Sequence, residues 1–155
     1  MPNDDLRENV NAVLSRFGDG IGLQRLGLDE NNNCLLSIDD SITVNIQLDD
    51  DGDKLILFTD LGRLSEANRL EICEALLEAN LFWGGTDGAT VGLERSEGLL
   101  FLCDKTEPAK LTLETFEALL ERFINTAEDL TGLVRDLRES ASQGFSRPMP
   151  GSIKI

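Results

Sequence analysis

The chain has 155 residues, enough for one domain with a substantial core, and 41% of them are apolar, as in an ordinary soluble globular protein. Its 29 acids against 14 bases leave a formal charge of −15, a field that repels nucleic acid and anionic membrane and favours basic or neutral protein segments. The absence of histidine removes Ser-His and Cys-His nucleophiles and histidine metal sites.

The first ten residues, MPNDDLRENV, are acidic and lack the basic-then-apolar layout of a signal peptide. No apolar run approaches the roughly 20 residues that span a bilayer, so a cytoplasmic protein is expected. Asp4 and Asp5 suit a helix start, placed against the positive end of the dipole. Leu6, Val10, Val13, Leu14 and Phe17 then recur at helical spacing, and Gly18, Gly20 and Gly22 should stop that helix near residue 17.

A connector with Leu23, Leu26 and Leu28 leads to Asn31-Asn32-Asn33, and a first strand is expected over 34–39. In the second, Ile42, Val44, Ile46 and Leu48 alternate with Thr43, Asn45 and Gln47, which buries one face and leaves the other polar. Asp49 to Asp53 makes an acidic turn around Gly52. The third strand, Lys54 to Asp60, is apolar on both faces through Leu55, Ile56, Leu57 and Phe58. Short turns between the three imply an antiparallel meander.

A second helix should start after Gly62, with Ser65 as its cap, and run to about Asn80. It carries two apolar stripes. Leu70, Cys73, Leu77 and Leu81 form one; Ile72, Ala75, Leu76 and Ala79 form the other. A helix on the outside of a domain needs one stripe, so the second implies a second partner. A symmetric homodimer, with Leu70, Cys73, Leu77 and Leu81 at its interface, is the expectation.

Gly84, Gly85 and Gly88 lead to a fourth strand, about 89–94, and Ser96-Glu97-Gly98 turns into a fifth, 99–104. Thr112 should cap a third helix whose apolar residues step by three and four from Leu113 through Phe116, Leu120 and Phe123 to Leu137. The domain is expected over 1–139. Residues 140–155 have the Ser, Gly and Pro content of a flexible tail, and hold Arg147 and Lys154 with no acid. The fold class is therefore α+β: an antiparallel twisted sheet of about five strands with three helices, in the order α-βββ-α-ββ-α.

Chemistry is thin. A calcium loop around Gly52 would need Gln47 first and Phe58 twelfth, and neither can ligate as required, so the acidic turn reads as solvated. Gly18-Asp19-Gly20-Ile21-Gly22 follows a helix rather than a strand, and Gly84-Gly85-Thr86-Asp87-Gly88 lacks the Lys-Ser/Thr of a phosphate cradle, so both are turns. Cys34, Cys73 and Cys103 are dispersed and odd in number, which suits small hydrophobes in a reducing compartment rather than a disulfide or zinc site. No cofactor, metal or catalytic residue is indicated.

The succession Cys34-Leu-Leu-Ser-Ile-Asp-Asp40, the strand pair to Leu61, "ALLEANLFWGGTDGATVGLERSEGLLFLCD" from Ala75 to Asp104, and the acidic helix from Leu111 resembles the class I type III secretion chaperones, the Tir-chaperone family. The resemblance spans Leu6 to Leu137; the tail departs from it. It implies a cytoplasmic homodimer, paired mainly through the second helix. Such a protein holds the N-terminal segment of a secreted effector in extended form, without nucleotide hydrolysis, and passes it to the secretion apparatus, whose ATPase is a further candidate partner. Candidate client-binding residues are Leu14 and Phe17 on helix one, Leu35 on strand one, and Ile56 and Phe58 on strand three; the same pattern also accommodates each as core. The rival readings are an adaptor or regulator on the same fold, sequestering a transcription factor or secretion component, and a small carboxylate-dependent enzyme.

Overall fold

The structure, a computed structural model, describes residues 4–142 apart from 50 and 52. Helix α1 spans Asp4–Gly20. Strands β1 (Asn33–Ile38), β2 (Ile42–Leu48) and β3 (Leu55–Arg63) follow, then α2 (Arg69–Asn80), β4 (Thr90–Glu94), β5 (Leu99–Thr106) and α3 (Leu113–Ser142). This is the expected α-βββ-α-ββ-α order. The five strands form one antiparallel sheet in the order β1-β2-β3-β5-β4, so β1 and β4 are its edges.

Strict alternation decides which side of the sheet faces the helices. Cys34 and Leu36 of β1, Ile42, Val44, Ile46 and Leu48 of β2, Leu55, Leu57 and Leu61 of β3, and Leu100 and Leu102 of β5 are all buried on that side. Thr59 shares it, and its hydroxyl donates to the Thr43 carbonyl at 2.8 Å, so the buried polar group is satisfied. Helix α3 supplies the opposing layer with Phe116, Leu119, Leu120, Phe123, Ala127, Leu130 and Val134, while α1 adds Val10, Val13 and Leu14. Phe17 and Phe116 meet edge to face at 5.3 Å between ring centroids, locking α1 to α3. Thr112 caps α3 as expected: its hydroxyl oxygen accepts from the Thr115 amide at 3.1 Å.

Several boundaries differ from the sequence reading. Helix α1 runs through Gly18 to Gly20, because Gly18 is needed for close approach rather than for a stop: a Cβ there would lie 2.6 Å from the Leu23 carbonyl oxygen. Strand β3 continues past Asp60 to Arg63 through an irregularity between Asp60 and Gly62, where Gly62 takes a φ of 116° and Asp60 Oδ1 accepts from its amide. Residues Glu66–Asn68 form a 3₁₀ turn, so α2 starts at Arg69, and Ser65 makes no side-chain cap. Helix α3 extends to Ser142, and residues 143–155, most of the expected tail, lie outside the described residues.

Candidate functional site

Among the described residues, two apolar surfaces stand out on the folded domain. The first is the sheet face turned away from the helices. Register places Leu35 beside Asn45, Asn45 beside Phe58, and Phe58 beside Cys103, while Ile56 sits two residues along between Gln47 and Lys105. Phe58 and Phe101 stack edge to face at 6.1 Å, diagonal neighbours on this face. Leu35 is 66% exposed, and Ile56, Phe58, Phe101 and Cys103 are half-buried. Burial, with Asp104 as a lesser cause, raises the Cys103 thiol above its usual pKa, so this sulfur stays protonated and behaves as an apolar group.

The outer rim of this face is the edge of β1. A cleft of about 500 Å³ runs along it, lined by Arg25, Leu26, Asp29, Leu35, Asn45 and Phe58 among others. The Asn33 amide donates to Asp29 Oδ1 at 2.9 Å and the Asn33 carbonyl accepts from the Asp29 amide at 2.8 Å, so Asn33 turns its backbone away from β2. By the antiparallel alternation, Leu35 and Ser37 turn theirs the same way, towards the open edge.

The opposite edge is treated differently. Asn80, the last residue of α2, brackets Val91 of β4: its Nδ2 donates to the Val91 carbonyl at 3.1 Å and its Oδ1 accepts from the Val91 amide at 2.9 Å. A side-chain amide thus stands where a sixth strand would pair.

The second apolar surface lies on α2 and the loop after it. Ile72 and Leu76 are buried against the domain, whereas Leu70, Leu77 and Leu81 are 70%, 67% and 60% exposed, and Cys73 is half-buried between the stripes. The two stripes therefore part as the sequence suggested: one inward, one outward. Beyond Leu81, Phe82 and Trp83 are 82% and 58% exposed, and Leu93 of β4 joins them. Phe82 and Trp83 hold φ values of 55° and 58°, uncommon for bulky residues. The loop is pinned from behind by the Gly85 amide on the Ala79 carbonyl at 2.9 Å, at a point where a Cβ on Gly85 would come within 2.9 Å of Ala79.

Of the five candidate client residues, Leu35, Ile56 and Phe58 fall on one surface. Leu14 does not. It is fully buried beneath α3, and the helical spacing that nominated it marks core instead. Phe17 is half-buried and engaged with Phe116, away from the open sheet face. Phe101, Phe82, Trp83 and Leu93 went unnamed in the sequence reading. The β3–β5 pairing that sets Phe101 beside Phe58 joins strands 43 residues apart at that diagonal, which local alternation cannot reveal. The apolar triplet Leu81-Phe82-Trp83 before a glycine pair was the visible signal for the loop.

The acidic turn gathers Asp49, Asp51 and Asp53, with carboxylate oxygens within 4.8 Å of one another, and Lys54 pairs with Asp49 at 3.4 Å and Asp53 at 3.7 Å. All are largely solvated, and the lysine answers much of the local charge. Among the described residues no helix is long and apolar enough to cross a membrane.

The fold has counterparts among known proteins. Over 124 residues, 80% of this chain and 84% of the relative, the sequence is 32% identical to the transcriptional anti-antiactivator ExsC of Pseudomonas aeruginosa. The crystal structure of the ExsC-ExsE complex contains a chain that superposes with a TM-score of 0.71 at 30% identity, covering 86% of this chain and 97% of that one. The HopA1-SchA chaperone-effector complex gives 0.65 at 20% identity over 87% of this chain and 99% of its counterpart, a likeness of fold. Residues 12–131 match the Tir chaperone protein (CesT) family, and the chain belongs to that family of type III secretion chaperones.

Proposed function

We propose that this chain is a homodimeric, cytoplasmic holding protein without catalytic activity, which captures an extended segment of a partner protein along the β1 edge and the open sheet face. Through that capture it relieves repression in a type III regulatory circuit. Two outward backbone positions at Leu35 and Ser37 let the segment add as a strand, with alternate side chains reaching the cleft beside Leu35 and the Phe58–Phe101 pair. Holding the segment extended keeps its apolar residues covered and offsets the entropy of ordering it. The exposed stripe Leu70, Leu77 and Leu81, continued by Phe82 and Trp83, supports a second copy as the cover for α2.

The regulatory reading is carried by one observation, the 32% identity along 80% of the chain to a relative described as an anti-antiactivator, a protein that opposes an inhibitor of an activator. The dedicated effector chaperone, which keeps an effector's N-terminal segment secretion-competent and aids its delivery, is the second reading, favoured by family membership. Deleting the gene in its own host separates the two. A regulator's loss lowers transcription from type III promoters and, with it, secretion of the whole set of effectors. If promoter activity is unchanged and a single effector disappears from the medium, the regulatory reading fails and the chaperone reading stands.

A further inference from the structure

The connector between α1 and β1 ends in a β-hairpin that stops at its first rung. Glu30-Asn31-Asn32 is a three-residue turn, with Asn32 at a φ of 63° and its amide donating to the Asp29 carbonyl at 3.0 Å, a common form for a hairpin loop of that length. Asp29 and Asn33 close it, the Asp29 amide donating to the Asn33 carbonyl at 2.8 Å. In this antiparallel register the next rungs would set Gly27 opposite Leu35 and Arg25 opposite Ser37, the two β1 positions whose backbone faces outward. Among the described residues no backbone hydrogen bond joins either pair. The cleft of about 500 Å³ lies between the two arms instead, with Arg25, Leu26 and Gly27 along one wall and Leu35 on the other. The arm is displaced towards the helix layer, where the Gly27 amide is directed at the sulfur of buried Cys34.

Helix α1 holds the arm there. Arg7, Asn11 and Gly18 fall within about 40° of one another around the helix, so they make one stripe. Arg7 donates through Nη2 to the Asp29 carbonyl at 3.1 Å and the Leu28 carbonyl at 3.4 Å, and through Nη1 to the Asn32 side-chain oxygen. Asn11 Oδ1 accepts from the Leu28 amide at 2.7 Å, and a Cβ on Gly27 would meet that same oxygen at 3.0 Å. Near the helix end, the Leu23 amide donates to the Gly18 carbonyl at 2.8 Å, and a Cβ on Gly18 would come within 2.9 Å of Leu26 Cβ. The backbone groups of Leu28, on the side of the arm away from β1, are thus tied to α1.

We propose that Arg7 and Asn11 are positioning residues for capture: by holding the Arg25–Gly27 arm on α1 they keep the outward backbone groups of Leu35 and Ser37 open to a segment from another protein. The purpose of this device rests on the strand addition proposed above; the device itself does not. Unpaired edge groups take the nearest extended backbone, and here the nearest is the chain's own arm, already turned back by a formed loop. Freed from α1, the arm zips along β1 and occupies the edge. Gly27 brings no side chain to the new rung, and Arg25 leaves a left-handed φ of 64° for the extended region. Without Asn11 the Leu28 amide also loses its acceptor, which penalises the arm's present position.

The test is amide hydrogen–deuterium exchange, read residue by residue by NMR on the full ¹⁵N-labelled chain with no partner added. In wild type the Leu35 and Ser37 amides should exchange near the rate of an unstructured chain, while those of the inner strand β3 are protected. In Arg7→Ala/Asn11→Ala, exchange at Leu35 and Ser37 should slow by about tenfold, the mark of an arm paired about nine tenths of the time, with β3 unchanged. A residue that serves only the fold loosens these amides or leaves them alone; it does not protect them. Arg7→Lys, which keeps a donor for the two carbonyls, should retain wild-type exchange at both positions. Should the double variant lose β3 protection, Asn11→Ala alone carries the same prediction. Unchanged or faster exchange at Leu35 and Ser37 in the variant that keeps β3 protected overturns the proposal, as does loss of β3 protection in both. Slowing that grows with protein concentration also overturns it, since that marks β1 pairing with another copy. No partner enters this measurement, so its failure is read apart from failure of the proposed function.

Discussion

Leu77→Asp should split the proposed dimer without unfolding the protomer. Complete burial of a leucine contributes about 1.5–3 kcal/mol, and with two thirds of Leu77 still exposed, a second copy can bury the remainder for about 1–2 kcal/mol. A two-fold axis counts each residue twice, so Leu70, Leu77, Leu81 and their twins offer roughly 6–12 kcal/mol against an association cost of about 4–15 kcal/mol. The margin is therefore modest and one residue can remove it. Leu77→Asp takes away about 2–4 kcal/mol over both copies and adds two carboxylates with no partner, for a total of at least about 4 kcal/mol, or roughly a thousandfold in Kd. Sedimentation velocity at micromolar concentration reads this directly. Wild type should run at twice the 17.0 kDa chain mass and the variant at the chain mass, with identical far-UV circular dichroism. Leu76→Asp, on the inward stripe, should instead unfold the domain. A wild-type chain that is monomeric throughout, or a Leu77→Asp protein that remains dimeric, refutes the assignment of the outward stripe.

Phe58→Asp should abolish capture of the partner segment while costing only about 0.5–1.5 kcal/mol from the lost Phe101 contact, a fall of a few degrees in Tm; a variant that unfolds outright makes Phe58 core. Leu14→Ala should do the reverse, losing about 2–5 kcal/mol in urea unfolding because Leu14 is fully buried, with unchanged partner affinity for the folded fraction. Asp104 lies on the helix side of β5, where burial raises its carboxyl above the usual range, against the lowering by the Lys105 amide and Arg122. A raised native pKa means the folded state holds the proton more tightly, so this group's contribution to stability falls as pH rises through the interval between its unfolded and folded values. Asp104→Asn should therefore raise Tm at pH 7 relative to wild type, with the gain vanishing below the ordinary carboxylate range; an equal gain at both ends would remove titration as the cause.

Elements set by local pattern were legible. The alternation of β2 and the three-four stepping of α3 have one physical solution each, and both segments fold that way. The double stripe of α2 was legible too, because adjacent helix positions such as Leu76 and Leu77 point about 100° apart, so one is buried while the other is 67% exposed. What the chain did not disclose locally depends on pairing at a distance. Leu14 and Leu77 look alike in sequence; only the packing of α1 under α3 makes the first inaccessible. Gly18 and Gly62 read as punctuation, yet one permits a close chain approach and the other takes a φ of 116° at the irregularity that lets β3 continue to Arg63. Phe101 became part of the candidate site only when β5 paired with β3 rather than lying beside β4 alone.

The two sheet edges give the clearest argument that this protein is built to receive an extended chain. An unpaired edge invites aggregation, and proteins that gain nothing from it block it. Here β4 is blocked at its centre: Asn80 satisfies both backbone groups of Val91, and the short strand continues into a turn where the Glu94 carboxylate gathers the amides of Ser96 and Glu97. On β1 the same device is applied only at Asn33, through Asp29, and stops there. Leu35 and Ser37 keep their outward backbone groups beside a cleft and beside the most exposed leucine of the sheet. Replacing Leu35 by proline would remove one outward donor while sparing the β2 ladder, since the Leu35 amide turns away from β2. Binding of the partner segment should then fall while the melting temperature stays near that of wild type. If capture persists, the segment does not enter as a strand, and the open sheet face alone must hold it.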